Sequence, residues 1–274
     1  MPPTPLTQSQ RKALIDTSLA LLVQEQPEAQ RLLDALSASV PGQRRLALRA
    51  LLAMRPAIPL PPELSCSLER LLAAEAAERD TVDARDLPGT SLDPRLSLWR
   101  GDITTIRADA IVNAANSAML GCFQPLHACI DNAIHSAAGP GLRQECADIM
   151  TARGRPEPTG TATVTGGYHL PAAHVIHTVG PVVEGEVGEE HRRLLASSYR
   201  SVLDAAEAAG LDSVGLCSVS TGVFGYPKEE AAPLVLDTIE AWLAAHPASR
   251  MRIVVCAFAE VDVIAYDKAL AARC

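Results

Sequence analysis

The chain has 274 residues and a formal net charge of −8, with 48% hydrophobic but only 3% aromatic residues. Its core must therefore come from Leu, Val, Ile and Ala, and its acidic balance argues against nucleic acid or an anionic membrane as partners. No stretch approaches the ~18 unbroken apolar residues that span a bilayer, and the first residues lack the apolar run of a secretory signal. The seven cysteines are odd in number and scattered, unlike the paired framework of a small secreted scaffold, so a reducing cytoplasm is the expected setting.

Apolar residues recur at helical spacing near 9–25, 28–38, 43–55 and 63–78, as in Leu14, Leu19, Leu21 and Leu22 and again in Leu46, Leu48, Leu51 and Leu52. The prolines at 58–62 interrupt that periodicity, because consecutive prolines cannot continue a helix. Residues 1–90 read as a small all-helical region. The polar stretch 79–93, with Pro88 and Gly89, reads as a linker into a second unit, residues 91–274.

In that second unit, short apolar runs at 96–99, 110–112, 162–164, 175–179, 214–219 and 253–258 read as buried strands. Helical stretches alternate with them at 128–138, 142–152, 190–209, 227–245 and 261–272. Gly139 and Gly210 stand where helix C-caps are expected, and Pro227 suits a first helical turn. The alternation predicts an α/β domain with a mostly parallel sheet covered on both faces. Ligands of such sheets bind outside the carboxyl ends of the strands. No internal repeat interrupts the pattern.

The densest chemistry lies in residues 113–139. Asn113 and Asn116 stand at a strand end, a loop brings Cys122, His127 and Cys129 within eight residues, and a helix then opens with Asp131. Sulfur and imidazole are the donors zinc selects, and three local ligands leave a fourth position for water or substrate, as in a catalytic site. The spacing C-x4-H-x-C is not a common zinc-ribbon pattern, and a free cysteine is often only a small buried hydrophobe, so spacing alone leaves both readings open. Asp131 gains from the helix dipole, and a capping role is compatible with a chemical one.

Three other groups are candidates. Ser220, Thr221, Gly222, Val223, Phe224 and Gly225 join a buried strand to a helix. Glycines there let backbone amides turn toward one point, which suits a diphosphate, although an ordinary βα turn also needs glycine. No G-x-x-x-x-G-K-[ST] or post-strand G-x-G-x-x-G is present, so nucleoside triphosphate and dinucleotide binding are not expected. Asp102 offers a carboxylate to a two-proton amino donor, or simply caps a turn. Asn113 and Asn116 offer amides that match paired ribose hydroxyls, or serve as strand-end turn residues, while Phe224 either covers a sugar or sits in the core. Cys146, Cys217, Cys256 and Cys274 show no grouping and read as core residues. His135 reads as packing or orientation, and His169, His174 and His177 as satisfied histidines in or near strands.

GDIT at 101–104, DAIVNAAN at 109–116, AIHSAAG at 133–139 and VSTGVFGYP at 219–227 together resemble the macrodomain family over roughly residues 95–274. The C-F-x-P-x-H-x-C insert at 122–129 resembles the zinc-dependent branch of that family, a group of microbial ADP-ribosyl hydrolases. The resemblance implies a three-layer α/β/α domain with a mixed, mostly parallel sheet, preceded by the helical region. It implies Zn2+ on Cys122, His127 and Cys129, adenine on Asp102 and the backbone of Ile103, and diphosphate on the loop 220–224. It also places Asn116 against the distal ribose and assigns Asp131 to the attacking water. The implied activity is removal of ADP-ribose from an ADP-ribosylated protein substrate, with free ADP-ribose as product. The same pocket would also serve a non-catalytic ADP-ribose reader or an O-acetyl-ADP-ribose deacetylase.

Overall fold

The computed structural model describes residues 5–39 and 43–273. Cys274 lies outside the described residues. The first four helices, α1 (Gln8–Glu25), α2 (Ala29–Ser39), α3 (Arg44–Met54) and α4 (Pro62–Ala77), fall within a residue of the expected bounds. Thr7 and Gln10 close a capping box at the start of α1, which satisfies two backbone donors that the helix leaves free. Leu19, Leu22, Leu48, Leu64, Leu68 and Leu71 are buried in a cluster of their own, separate from the sheet's core. The fork of Arg55 grips Glu25 through two 2.7 Å bonds, tying the end of α3 to the end of α1.

The stretch expected as a linker is instead built into the body. There β1 (Val82–Asp83) pairs in parallel with β3 (Ile106–Arg107), and Ala84 is fully buried. Arg79 donates to the carbonyls of Thr104 and His169, at 3.3 and 3.2 Å. A two-residue pairing is too short to show as alternation among polar residues, so sequence periodicity had no purchase on it.

The main sheet has the order β2–β8–β7–β4–β6–β5, from β2 (Leu96–Arg100), β4 (Ala110–Ala114), β5 (Ala162–Gly166), β6 (His174–Thr178), β7 (Ser213–Leu216) and β8 (Arg252–Ala257). All neighbours run parallel except β5, which pairs antiparallel with β6. Helices α5 (Ile130–Ala138), α6 (Pro140–Arg153), α7 (Glu189–Ala208), α8 (Lys228–Ala245) and α9 (Glu260–Ala271) cover it as a three-layer α/β/α domain. Every residue of β7 is buried, as a central parallel strand covered on both faces requires. Among the described residues, no helix is long and apolar enough to cross a membrane.

Several element ends shift for identifiable reasons. The helix expected from 128 starts at Ile130, because Cys129 is its N-cap. The apolar run 214–219 leaves the sheet after Leu216. Pro227 is the N-cap of α8, one position before the expected first turn. Gly139 caps α5 at φ +89°, and Gly210 follows the cap of α7 at φ +67°, backbone angles that favour glycine.

This topology defines where a ligand can sit. From β4 the chain runs to β5 and β6 on one side, and from β7 it runs to β8 on the other, so the strand order reverses between the adjacent β4 and β7. In open α/β sheets the crevice that takes a ligand lies outside the carboxyl ends of the strands at such a switch point. The structure generates one test of its helical region. Glu25→Ala should lower stability by about 3 kcal/mol in chemical denaturation, because it leaves the buried Arg55 guanidinium with only the carbonyls of Pro56, Ile58 and Pro59 as partners.

Candidate functional site

Strand β4 ends at the switch point and aims two asparagines at α5. Asn113, fully buried, donates from Nδ2 to Asp131 Oδ1 at 2.8 Å and also meets His177 Nδ1 at 3.1 Å. Asn116 lies just beyond the strand, its Nδ2 3.4 Å from Asp131 Oδ2 and 3.2 Å from the Gly121 carbonyl. Asp131 itself occupies the first turn of α5, where the helix dipole favours a carboxylate. Burial pushes its carboxyl up to about 6, against the bond from Asn113 and the charge of Arg143. The resemblance put Asn116 against a ribose; in the structure Asn116 is half-buried, while Asn113 is fully buried with its amide on Asp131.

Burial pushes His177 down to about 3, so the ring is neutral. Since Asn113 Nδ2 is a donor, His177 Nδ1 accepts and its Nε2–H donates to Thr165 Oγ1 at 2.9 Å. A buried chain Thr165–His177–Asn113–Asp131 results. The fold also brings His135, Cys146 and His177 within 4.8 Å of one another, a grouping that sequence spacing did not reveal. Both ring nitrogens of His177 are already engaged, so this trio lacks a free ligand there. Burial pushes the Cys146 thiol up to about 12.

The loop before α5 collects the soft donors. Donor atoms of Cys122, His127 and Cys129 lie within 4.8 Å of one another, with Cys122 Sγ and His127 Nδ1 at 3.6 Å. Tetrahedral zinc with ordinary ligand bonds needs neighbouring donors about 3.5–3.8 Å apart, the separation of the Cys122–His127 pair. Burial pushes the Cys129 thiol up to about 11, countered by the Asn132 amide that donates to its sulfur at 3.4 Å. A cation is what would draw out the thiolate. Leu126 within this loop takes φ +57°.

Across the crevice, the loop after β7 shows an unusual backbone. Among the described residues, the amides of Thr221, Gly222, Val223 and Phe224 donate to no protein acceptor. The turn is closed by Gly225 N to Gly222 O and Tyr226 N to Ser220 O, each 3.0 Å. Ser220 takes φ +65° and Gly225 φ +74°. Such strain in a non-glycine residue persists only where surroundings enforce it. Buried Tyr199 contributes, its hydroxyl accepting from Val219 N at 3.0 Å and donating to Cys217 O at 2.8 Å. Four free amides thus stand beside the start of α8, a backbone arrangement of the kind that suits an anion. Val223 is 79% exposed at the tip, and Phe224 is half-buried, its carbonyl accepting from Val183 N at 2.8 Å.

At the far edge, Asp102 follows β2. Its Oδ1 caps a short turn, accepting from Thr104 N and Oγ1 at 2.9 and 2.8 Å, while Oδ2 has no hydrogen-bond partner among the described residues. The capping and ligand readings of Asp102 therefore coexist on two different oxygens. Ile103 buries its side chain and offers only backbone. Gly101 N donates to Ala257 O at 3.1 Å, which sets Asp102 beside Phe258, an aromatic ring 74% exposed. Sequence reading missed Phe258 because it looked like the last residue of a buried strand. It also missed Asn132 and Arg143, whose residue types carry no motif.

Known proteins match this arrangement. The Macro domain family profile matches residues 112–235. A Treponema medium protein named protein-ADP-ribose hydrolase is 50% identical over 171 residues, 62% of this chain and 65% of its own length. A protein of the same name from Staphylococcus aureus (strain MSSA476) is 40% identical over 222 residues, covering 81% of this chain and 82% of that one. Among solved structures, the Trypanosoma brucei macrodomain in complex with ADP-ribose superposes with TM-score 0.61 at 33% identity, over 77% of this chain and 91% of that one. With a relative of this identity covered over most of its length, and the same fold in solved structures, the chain belongs to the macrodomain family.

Proposed function

We propose that this chain is a zinc-dependent hydrolase that removes ADP-ribose from modified protein side chains. The observation that carries this reading is the start of α5. Cys129 caps that helix with its sulfur, and Asp131 sits two residues on with its carboxylate held by Asn113 and Asn116. One helix start thus delivers a soft metal donor and a fixed carboxylate to the crevice that holds the free amides. The names of the relatives and the ADP-ribose in the solved neighbour support the same substrate.

On this reading, the amides of Thr221–Phe224 and the dipole of α8 bind the diphosphate. Oδ2 of Asp102 accepts from the adenine amino group, the Ile103 backbone contributes, and Phe258 offers a face for the base to stack on. Asn116 orients the distal ribose. The bond broken joins the ribose anomeric carbon to the acceptor side chain, through an oxocarbenium-like state that needs a positioned water and a held sugar. Asp131 orients that water and takes its proton. Cys122, His127 and Cys129 would hold zinc, which supplies Lewis-acid or orienting positive charge at the ribose end.

Two outcomes test the two ends of this site. A Cβ at Gly222 meets nothing within 4 Å, so Gly222→Glu should fold. Its carboxylate would occupy the anion nest, and calorimetry should show ADP-ribose binding lost; unchanged binding would remove the diphosphate assignment. Cys122→Ala, His127→Ala and Cys129→Ala should each lose bound zinc and turnover while keeping ADP-ribose affinity, because the adenine and diphosphate contacts lie elsewhere. Full turnover by metal-free wild type would contradict the role given to zinc.

A further inference from the structure

The loop 120–129 makes few bonds of its own, and its supports lead back to the N-terminal helices. Arg143, on α6, is the main one. Its side chain is almost wholly buried, yet no carboxylate forms an ion pair with it among the described residues. Its Nη1 donates to the carbonyls of Leu52 and Arg55, at 3.0 and 2.6 Å, and its Nε to the carbonyl of Leu120, at 2.7 Å. Leu52 and Arg55 are the last turn and the C-cap of α3. These are carbonyls that a helix leaves unsatisfied, at the negative end of its dipole. Phe123 lies over the guanidinium carbon, 4.5 Å from it to the ring centroid. One buried cation is therefore compensated by α3 and gives its Nε–H and its face to the loop.

A second link runs in parallel. Arg49, also on α3, reaches Ser136 Oγ at 3.1 Å and Asn132 Oδ1 at 3.3 Å. Asn132 Nδ2 donates onward to the Gln124 carbonyl at 2.9 Å, and its backbone amide to Cys129 Sγ at 3.4 Å. Leu120, Phe123 and Gln124 are thus held by side chains that α3 orients, while Cys129 is held by the backbone of α5.

We propose that Arg143 is a positioning residue for the metal loop, and that the N-terminal helices, through α3, are part of the catalytic architecture. The inference rests on the zinc reading above. Groups bonded directly to metal ligands orient them, and losing one weakens metal binding by about 10–100-fold. Arg143 acts on Leu120 and Phe123, which flank Cys122, so its loss falls toward the lower end of that range. A role confined to global stability would leave zinc affinity unchanged well below the melting temperature.

The test uses the full chain with Arg143→Met and Arg143→Lys. Zinc affinity is read by competition with a chromogenic chelator, and loop order by amide hydrogen exchange of residues 120–129 in metal-free protein. Both variants should bind zinc about tenfold or more weakly and exchange faster in that loop, with ADP-ribose affinity unchanged. Arg143→Lys keeps a cation for the α3 carbonyls but loses the fork that reaches Leu120, so it carries the test if Arg143→Met fails to fold. Wild-type zinc affinity and loop exchange in a folded variant overturn the proposal. A wild-type chain that binds no zinc defeats the functional reading instead, and the exchange measurement still decides whether Arg143 holds the loop.

Discussion

A single hydrogen bond orders the rest of the site: the 2.8 Å contact from Asn113 Nδ2 to Asp131 Oδ1. An isolated buried carboxylate costs several kcal/mol unless it is bonded, and bonds to a charged acceptor return about 1.5–3 kcal/mol each. Asp131 is 6% exposed, so without the amides of β4 it would turn out to solvent or take up a proton. The bond also determines direction. Asn113 must present its NH2 group to the carboxylate, which makes His177 an acceptor at Nδ1 and sends its other N–H to Thr165. The middle of the sheet is thereby tied to the first turn of α5, and the crevice acquires a carboxylate of fixed orientation.

The remaining features are costs accepted around that arrangement. Ser220 and Leu126 hold left-handed backbone angles, one in each of the two loops that face the crevice. Four consecutive amides stay unbonded in the loop after β7. Arg143 is buried without a carboxylate. The amides lie in an exposed loop, open to water or a ligand, and left-handed angles recur at Met119 and Tyr168, so only Ser220 couples such strain to the loop that follows β7.

Much of the fold was legible because its signals are local. The helical periodicity of residues 9–78 and the apolar strand runs located the elements to within one to three residues at most ends. The strand end at Leu216 escaped because Cys217 and Val219 are as apolar as the strand before them. The short pairing of Val82–Asp83 escaped because two polar-flanked residues have no period. In the candidate site, the donor spacing of Cys122, His127 and Cys129 and the glycines of the loop 220–225 were readable as chemistry. What was not readable was depth. Asn113 and Asn116 have the same side chain, yet one is walled in behind Asp131 and the other stands at the crevice edge. The tie from Arg143 to the end of α3 spans about ninety residues of chain, and nothing in either segment announces it.

In the proposed reaction Asp131, as held by β4, acts on the water rather than on the ligand's ground state. The most direct measurement is the single-turnover rate of ADP-ribose release from a modified carrier by a zinc-loaded Asp131→Asn chain, alongside its ADP-ribose affinity. The rate should fall by about 10²–10⁴-fold with affinity retained, because the amide keeps the shape but cannot take a proton. A wild-type rate in the folded variant would contradict the claim.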